Sequence, residues 1–324
     1  MHLLVTGGAG FIGSNYARWV LGRTDDEVTV YDALTYAGNR STLRDIEQRW
    51  PERFRFVPGD VCDREALRAA AEGCDAVVHF AAESHVDRSI AGPDAFVVTN
   101  CVGTNTVMGV CRQLGIARVV HIGTDEVYGS VETGRSTETD PLEPRSPYSA
   151  SKAGADLIAL SYHSTYGLPV VVTRSANNYG PWQYPEKVIP LFITNLLDGR
   201  RVPLYGDGLN QRDWLHVEDN CAAVDLVLRE GKEGQIYNIG MGAEITNREL
   251  TERILSLVGA GAERIEMVAD RLGHDRRYAL DTTRVTALGW SPQHSLDDGL
   301  AETVSWYRDH RWWWEPLASG AASR

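Results

Sequence analysis

The sequence predicts an α/β protein with a doubly wound parallel sheet and a smaller, mainly C-terminal domain. Three observations support this fold class. Short apolar, β-branched segments alternate with segments of helical spacing up to about residue 175. The first of these segments runs into a glycine-rich turn, and beyond residue 175 prolines and glycines interrupt the long elements. Strands that alternate with helices imply right-handed crossovers and a parallel sheet covered on both faces.

The predicted elements follow one another in a regular order. The strands are the segments LLVTG, EVTVYD, FRFVPGD, DAVVHFAA, RVVHIGT and LPVVVTRS. The first helix, FIGSNYARWVLG, places Ile12, Tyr16 and Val20 on one face, and Gly22 suits its C-terminal end. REALRAAAEG and the stretch that begins at Ser146 also have helical spacing.

The change of pattern near residue 175 predicts two domains. We expect residues 1–175 to form the sheet domain, with a returning segment near residues 212–240, and residues 176–324 to form the smaller domain. Within the smaller domain, NRELTERILSLVG and LDDGLAETVSWYRDH have helical patterns. The run WWW near the C-terminus is expected to anchor this domain by packing.

Composition and charge exclude several classes of protein. The chain has 324 residues and a formal net charge of −12, which argues against binding to nucleic acid, since that requires a basic face. No apolar run approaches the roughly 18 residues of a membrane span, and MHLLVTGGAG lacks the regions of a signal peptide. The five cysteines form no CxxC pair, so we expect a cytoplasmic protein with reduced thiols and no metal site.

The segment TGGAGFIG has the spacing of a dinucleotide-binding turn. Gly7, Gly10 and Gly13 follow a strand and open a helix, where glycine permits a tight turn and the close approach of a pyrophosphate. Asp32 ends the second strand, where a carboxylate hydrogen-bonds ribose hydroxyls and repels a 2′-phosphate. We therefore predict a Rossmann-type domain that binds NAD in preference to NADP. The alternative is a plain turn followed by an exposed aspartate.

The segment SPYSASK places a tyrosine and a lysine on one face of a helix. Ser146 suits the N-cap and Pro147 the first position, so Tyr148 and Lys152 are one turn apart. A nearby ammonium group favours the phenolate, so the sequence predicts a lowered pKa for Tyr148 and a role as a base. A YxxxK pattern alone is common on helices, and the dinucleotide turn upstream makes it informative here.

The segment GTDEVYG places two carboxyl groups side by side where a buried strand ends. Asp125 and Glu126 repel each other and are unfavourable to desolvate there. Mutual repulsion raises one pKa, so one proton stays on the pair near neutral pH and both an acid and a base are available. The alternative is that one or both side chains merely hydrogen-bond the loop backbone.

With these motifs the chain resembles the extended short-chain dehydrogenase/reductase family and, within it, the dTDP-glucose 4,6-dehydratases. The similarity runs almost from end to end. In related sugar-nucleotide 4-epimerases a small or hydroxylated residue stands where this chain has its acid pair. The segments that carry the resemblance are VTGGAGFIGSN, YDALTYAGN, FAAESHVDRSI, GTDEVYG, SPYSASKAGAD, NNYGPWQYPEK, PLYGDGLNQRDWLHVED, TNREL, DRLGHDRRYALD and WWWEPL.

The resemblance implies two sets of binding residues by position. Besides the three glycines, the NAD contacts are Phe11, Ile12, Asp32, Ala33, Leu34, Thr35, Asp60, Val61, Phe80, Ala81, Ala82, Ser84, Thr99, Tyr148, Lys152 and Asn178. The sugar-nucleotide contacts are Ser84, Thr124, Asn177, Lys187, Val188, Pro203, Tyr205, Arg212, Asn247 and the stretch from Asp270 and Arg271 to His274. A diphosphate is anionic and the chain is acidic, so the cations among these residues are predicted to meet the phosphates.

The resemblance also implies the reaction. The expected conversion takes dTDP-glucose to dTDP-4-keto-6-deoxy-glucose and water. Thr124 would hold the 4-oxygen, Tyr148 would take its proton, Asp125 would protonate the leaving 6-oxygen, and Glu126 would remove the proton at C5. Relatives pair two helices across a two-fold axis, so a homodimer is expected. The alternatives are a 4-epimerase, a dehydratase for another nucleotide, and a non-catalytic NAD sensor.

Overall fold

A computed structural model describes residues 1–271 and 273–321, and it confirms the α/β class. Its centre is a parallel sheet of seven strands in the order β3-β2-β1-β4-β5-β6-β10. The strands are β1 His2–Thr6, β2 Glu27–Asp32, β3 Phe54–Pro58, β4 Ala76–His79, β5 Arg118–Thr124, β6 Val170–Ser175, β7 Asn177–Tyr179, β8 Val202–Tyr205, β9 Gln211–His216, β10 Ile236–Ile239, β11 Glu244–Thr246 and β12 Ile265–Val268.

Helices connect these strands. They are α1 Phe11–Arg23, α2 Arg44–Arg49, α3 Arg64–Ala71, α4 Val86–Ala91, α5 Asp94–Phe96, α6 Thr104–Leu114, α7 Pro147–Tyr166, α8 Val188–Leu197, α9 Val217–Glu230, α10 Asn247–Val258, α11 Thr283–Ala287, α12 Leu296–Asp309 and α13 Arg311–Ala321. A π-helical stretch, Val97–Gly103, joins α5 to α6. Among the described residues, none of these helices combines the length and the apolar character that crossing a membrane requires.

Both faces of the large sheet are buried, as a parallel sheet requires. Successive side chains of a strand point to opposite faces. Accordingly Leu3 and Val5 of β1 pack into a core with α1 and α9, whereas Leu4 packs into a second core with α3, α6 and α7. The helices therefore lie on both sides of the sheet, and the carboxyl ends of its strands are left at one uncovered edge.

A C-terminal layer faces that edge. It consists of the three-stranded sheet β11-β9-β7, the two-stranded sheet β12-β8, and helices α8, α10, α12 and α13. The segment 212–240 contributes to both parts of the molecule. Its strand β9 pairs with β7 and β11, so this strand does not join the large sheet, whereas α9 packs on α1 and β10 pairs with β6.

Two of the three adjacent tryptophans pack as the sequence predicts. Trp313 and Trp314 are buried in the core of the C-terminal layer. The indole N–H of Trp314 donates to the Tyr307 carbonyl at 2.7 Å, and that of Trp313 donates to the Thr42 hydroxyl at 3.1 Å. Trp312 differs, since half of its surface is exposed.

This difference yields a prediction about stability. Trp314→Ala should lower the free energy of unfolding by about 3–5 kcal/mol, because it leaves a cavity in a packed core. Trp312→Ala, on the same helix, should lower it by less than about 1 kcal/mol, because its side chain is half solvated. Urea unfolding followed by circular dichroism compares the two variants, and equal losses would contradict the packing described.

Candidate active site

A cavity of about 460 Å³ lies between the carboxyl edge of the large sheet and the C-terminal layer. Nearly all of the predicted site residues line its wall. Those from the sheet side are Gly7, Gly10, Phe11, Ile12, Gly13, Asp32, Ala33, Thr35, Asp60, Val61, Phe80, Ala81, Ala82, Ser84, Thr99, Thr124, Asp125, Glu126, Tyr148 and Lys152. Those from the C-terminal side are Asn177, Asn178, Lys187, Val188, Pro203, Tyr205, Arg212, Asn247, Arg271 and His274.

Three of the predicted contact residues lie outside this wall, namely Leu34, Asp270 and Gly273, the last within the predicted stretch from Asp270 to His274. Leu34 has a φ of +52°, and its side chain is partly exposed. The carboxylate of Asp270 is occupied by the His274 ring, with Oδ1 and Nδ1 2.6 Å apart. Their contacts with NAD and with the sugar nucleotide stay predictions. Leu272, within the predicted stretch from Asp270 to His274, lies outside the described residues.

The glycine turn has the close contacts that its sequence predicts. Gly7 has a φ of +69°, and a Cβ added there would lie 2.6 Å from the Ala81 nitrogen. A Cβ on Gly13 would lie 2.5 Å from the Gly7 carbonyl oxygen. α1 begins at Phe11 after Gly10, without a side-chain cap, so its first N–H groups and its dipole are available to a phosphate at the cavity wall.

Asp32 stands at the end of β2, beside this turn. Its Oδ2 accepts from the Ala9 N–H at 2.9 Å, and its Oδ1 accepts from the Leu34 N–H at 2.8 Å. Burial raises its pKa, and these two backbone donors oppose that shift. Each carboxylate oxygen can accept a further bond, so the site fits the ribose hydroxyls of NAD and disfavours the added phosphate of NADP.

Tyr148 and Lys152 lie on the face of α7 that lines the cavity. The Ser146 hydroxyl caps this helix by accepting from the Ser149 N–H at 3.0 Å. The Lys152 ammonium donates to the Ile122 carbonyl at 2.5 Å, so it is held against β5. The helix start that the sequence predicts at Ser146 is therefore the start observed.

The electrostatics of Tyr148 differ from the sequence prediction. Burial, followed by the charge of Glu126, raises the pKa of the phenol, whereas a hydrogen bond with Thr124 lowers it. Burial also lowers the pKa of Lys152, and the Asp156 carboxylate opposes that shift. The protein groups around Tyr148 therefore favour its protonated form, and the positive charge of an oxidised nicotinamide ring would lower the pKa of the phenol.

Asp125 is buried and favours its protonated form. Burial, followed by the charge of Glu126, raises its pKa to about 8. Its Oδ1 accepts from the Thr124 hydroxyl at 3.2 Å, and its Oδ2 has no hydrogen-bond partner within the described parts of the chain. A neutral carboxyl group with a free oxygen is suited to donate a proton into the cavity.

Glu126 has different neighbours. Burial raises its pKa too, but three cations of the C-terminal layer, Lys187, Arg271 and Arg212, all lower it. Asp125 is instead influenced by two negative neighbours, Glu126 and Asp213, and by one of these cations. These three cations oppose the effect of burial on Glu126, whereas Asp125 has more negative neighbours, so the environment favours a shared proton on Asp125.

The cations themselves are arranged for an anion. Arg212 is buried, and its guanidinium donates to the carbonyls of Gln211 at 2.7 Å and Asp275 at 2.8 Å. None of the carboxylates that the structure describes forms a salt bridge with it. The Lys187 ammonium donates to the Ser84 carbonyl at 2.7 Å. A buried and a partly buried cation that are held by neutral carbonyls favour an anionic ligand such as a diphosphate.

Several residues of the wall were missed by the sequence reasoning. The Tyr278 ring lies 4.2 Å from the Arg212 guanidinium, and its hydroxyl donates to Asp275 at 2.8 Å. Glu186 accepts from Arg88 at 3.2 Å. Both wall residues fall in quoted segments, DRRYALD and NNYGPWQYPEK, but no local pattern indicates which of their side chains face the cavity. Further examples are Glu83, Asp87, Gln183, Tyr184 and Trp214.

Comparisons of this chain with a family model, with related sequences and with solved structures all indicate the same family. A model described as GDP-mannose 4,6 dehydratase matches residues 4–303. A dTDP-glucose 4,6-dehydratase of Streptomyces griseus is 55% identical, over 98% of this chain and 97% of its own. The low-salt glycan biosynthesis protein Agl12 of Haloferax volcanii is 53% identical, over 95% of this chain and 98% of its own. The structure of DesIV, a dTDP-glucose 4,6-dehydratase of Streptomyces venezuelae with NAD bound, aligns with a TM-score of 0.95 at 56% identity, over 98% of this chain and 100% of that one.

The protonated state of Asp125 predicts a pH-dependent stability. Its pKa is about 8 in the folded protein and about 3.9 when unfolded, so the stabilisation from its bound proton is complete below pH ~4 and is lost as the pH rises to ~8. Asp125→Asn stays neutral and escapes this loss. Relative to the parent, the variant should therefore gain about 2–4 kcal/mol of unfolding free energy between pH ~5 and pH ~8.

The measurement is urea unfolding of both proteins at the two pH values. Asp309→Asn, which removes an exposed carboxylate, is the control for general effects of charge. A difference between Asp125→Asn and the parent that does not change with pH would show that Asp125 is ionised in the folded protein.

Proposed function

The chain belongs to the GDP-mannose 4,6 dehydratase family, and on this premise we propose that it is an NAD-dependent dTDP-glucose 4,6-dehydratase. The product would be dTDP-4-keto-6-deoxy-glucose, with release of water. The observation that carries this proposal is the pair Asp125 and Glu126, since their surroundings favour an acid and a base side by side in a cavity with a dinucleotide turn.

The first stage is oxidation at C4 of the glucose. The chemistry that NAD would supply when bound is reversible acceptance of hydride, from C4 and then back to C6, and the glycine turn and Asp32 would hold it at the cavity wall. Tyr148 accepts the proton of the 4-hydroxyl, and Thr124, which hydrogen-bonds the phenol, holds the same oxygen. Lys152, fixed by the Ile122 carbonyl, lies one turn away on the same helix face, where its ammonium would stabilise the phenolate.

The second stage is elimination of water across C5 and C6. A ketone at C4 acidifies the C5 proton, so a carboxylate can remove it. Glu126, whose charged form is favoured by Lys187, Arg271 and Arg212 against the effect of burial, is the base, and Asp125 donates its proton to the departing 6-oxygen. One carboxyl group could not readily do both, since one task requires the charged form and the other the protonated form. The reaction is complete when C6 has received the hydride and C5 has received a proton.

We assign binding of the sugar nucleotide to the C-terminal layer. Arg212, Lys187 and Arg271 line the same cavity as the acids and supply positive charge that suits the diphosphate, so the sugar would lie next to the acids. In this division residues 1–175, joined by α9 and β10 of the returning segment 212–240, bind NAD, and the rest of residues 176–324, including Arg212 on β9, binds the dTDP-sugar. The substrate then lies across the boundary of the two parts, where such clefts are common.

We also propose that the protein is a cytoplasmic homodimer. Apolar side chains are exposed together on the helical segment from Asp94 to Leu114 and on α7, which pack against each other. They are Val97, Val98, Val102, Leu157 and Tyr166. An exposed apolar face made by two helices favours pairing with a second copy about a two-fold axis. All five cysteines are free, in keeping with a reducing compartment.

The test of function is product identification. The protein with NAD should convert dTDP-glucose to the 4-keto-6-deoxy product, with deuterium at C5 when the reaction is run in deuterium oxide. Glu126→Gln should nearly abolish both product and deuterium incorporation, yet retain substrate-dependent reduction of NAD, because only the elimination loses its base. Mass spectrometry and NMR of the products measure both, with Glu132→Gln, an exposed glutamate, as the control.

Each contrary outcome has a distinct meaning. A 4-epimer of the substrate would identify an epimerase, and conversion of UDP-glucose alone would overturn the choice of nucleotide. If Glu126→Gln kept full activity with deuterium at C5, the assignment of Glu126 as the base would be wrong, but the overall reaction would stand.

The test of assembly is molar mass by light scattering at micromolar concentration. The parent should have the mass of two chains, and Leu157→Asp with Val98→Asp should shift it toward one chain, because two charges are buried at the contact. Asp substitution at exposed Leu209, on the C-terminal layer, is the control and should leave the dimer intact. A single-chain mass for the parent would refute the dimer.

A further inference from the structure

A buried chain of polar groups lies beneath the candidate active site. Asp156 is fully buried on α7, one turn beyond Lys152 and two turns beyond Tyr148, on the same helix face. Its Oδ2 accepts from Arg174 Nε at 2.8 Å, and its Oδ1 lies 3.2 Å from His121 Nε2. The helix that carries the oxidation residues is thus attached to β6, which holds Arg174, and to β5, which holds His121.

The same guanidinium reaches the turn that carries the acid pair. Arg174 Nη1 donates to the Tyr128 hydroxyl at 2.8 Å, and the guanidinium carbon lies 4.8 Å from the centre of the Tyr128 ring. The Tyr128 hydroxyl in turn donates to Asn238 Oδ1 at 2.8 Å. Tyr128 ends the short 3-10 helix that begins at Asp125. A single side chain therefore connects α7 with the acid turn.

The negative charge of Asp156 in this buried polar network is balanced by the positive charge of Arg174. Burial alone raises the pKa of Asp156, but His121, Arg174 and Lys152 together hold it below its usual value, so the carboxylate is ionised. Replacing a buried ion pair by apolar side chains is often neutral or stabilising, so stability alone does not account for such a pair. Its specific effect here is geometric, since it joins two elements that are distant in sequence.

We propose that Arg174, held by Asp156, is a positioning residue that keeps the oxidation pair, Tyr148 and Lys152, in register with the elimination pair, Asp125 and Glu126. The inference rests on the proposed function, because only a reaction that uses both pairs in one turnover needs them aligned. Neither Arg174 nor Tyr128 lines the cavity, so both act through the residues that do. Misplacement of a reacting group by an ångström can slow a step many-fold.

The decisive variant is Tyr128→Phe, which removes one hydroxyl and keeps the ring. It frees the acid turn from Arg174 but leaves the bond between Arg174 and Asp156, so elimination should slow and oxidation should not. We expect kcat to fall about tenfold with KM within about twofold of the parent, and reduced NAD to accumulate during a single turnover. Rapid-mixing absorbance of the nicotinamide and quenched product analysis measure the two steps.

Two further variants complete the test. Tyr237→Phe removes another buried hydroxyl, which accepts from the Lys232 N–H at 2.8 Å away from the cavity, and should leave both steps unchanged. Asp156→Asn should slow oxidation as well. The effect of Asp156→Asn on elimination should not add to that of Tyr128→Phe, because both variants interrupt the same series of hydrogen bonds from Asp156 through Arg174 to Tyr128. The melting temperature of each variant separates loss of fold from loss of alignment.

The outcomes separate the two proposals. If the parent forms the keto product but Tyr128→Phe turns over within about twofold of it, with no accumulation of reduced NAD, the positioning role is overturned. Additive effects of Tyr128→Phe and Asp156→Asn would also overturn it, since independent sites add. If the parent forms no keto product from dTDP-glucose, the proposed function fails, and the inference that rests on it fails too.

Discussion

A parallel sheet that must bury both of its faces determines how this molecule is arranged. Each crossover helix covers a face, so every strand runs the same way and the carboxyl ends of the strands meet at one edge. Thr6, Asp32, His79, Thr124 and Ser175 end five neighbouring strands there. The glycine turn after β1 and the acid turn after β5 are distant in sequence but share a cavity because of this constraint.

The contrast between the two adjacent carboxyl groups depends on what the C-terminal layer brings to that edge. Both groups are disfavoured as anions by burial. Lys187, Arg271 and Arg212 then act mainly on Glu126, whereas Asp125 remains next to other acids. The surroundings therefore favour the proton on Asp125 over a proton on Glu126. The same cations suit a diphosphate, so one group of charges relates substrate binding to the state of the acids.

The buried polar groups beneath the cavity have a related role. The guanidinium of Arg174 lies between Asp156 of α7 and Tyr128 of the acid turn, with nearly ideal distances to both. Rigid attachment of loop residues to helices and strands is what keeps reacting groups at fixed separations. The dinucleotide turn, the tyrosine helix and the acid turn are thus held by one sheet and by the polar chain behind it.

The sequence by itself determined whatever depends on neighbours along the chain. The spacing of Gly7, Gly10 and Gly13 predicts the turn, because the positive φ of Gly7 and the contact between Gly13 and Gly7 are local, whereas the approach of Ala81 to Gly7 comes from the fold. The four-residue spacing of Tyr148 and Lys152 predicts one helix face for the same reason. Only the tertiary structure decided the pKa shifts of the site residues and which further side chains line the cavity. The pKa of Tyr148 is raised although a lowered value was predicted, and Tyr278 packs on Arg212, because desolvation and charge depend on groups far away in sequence.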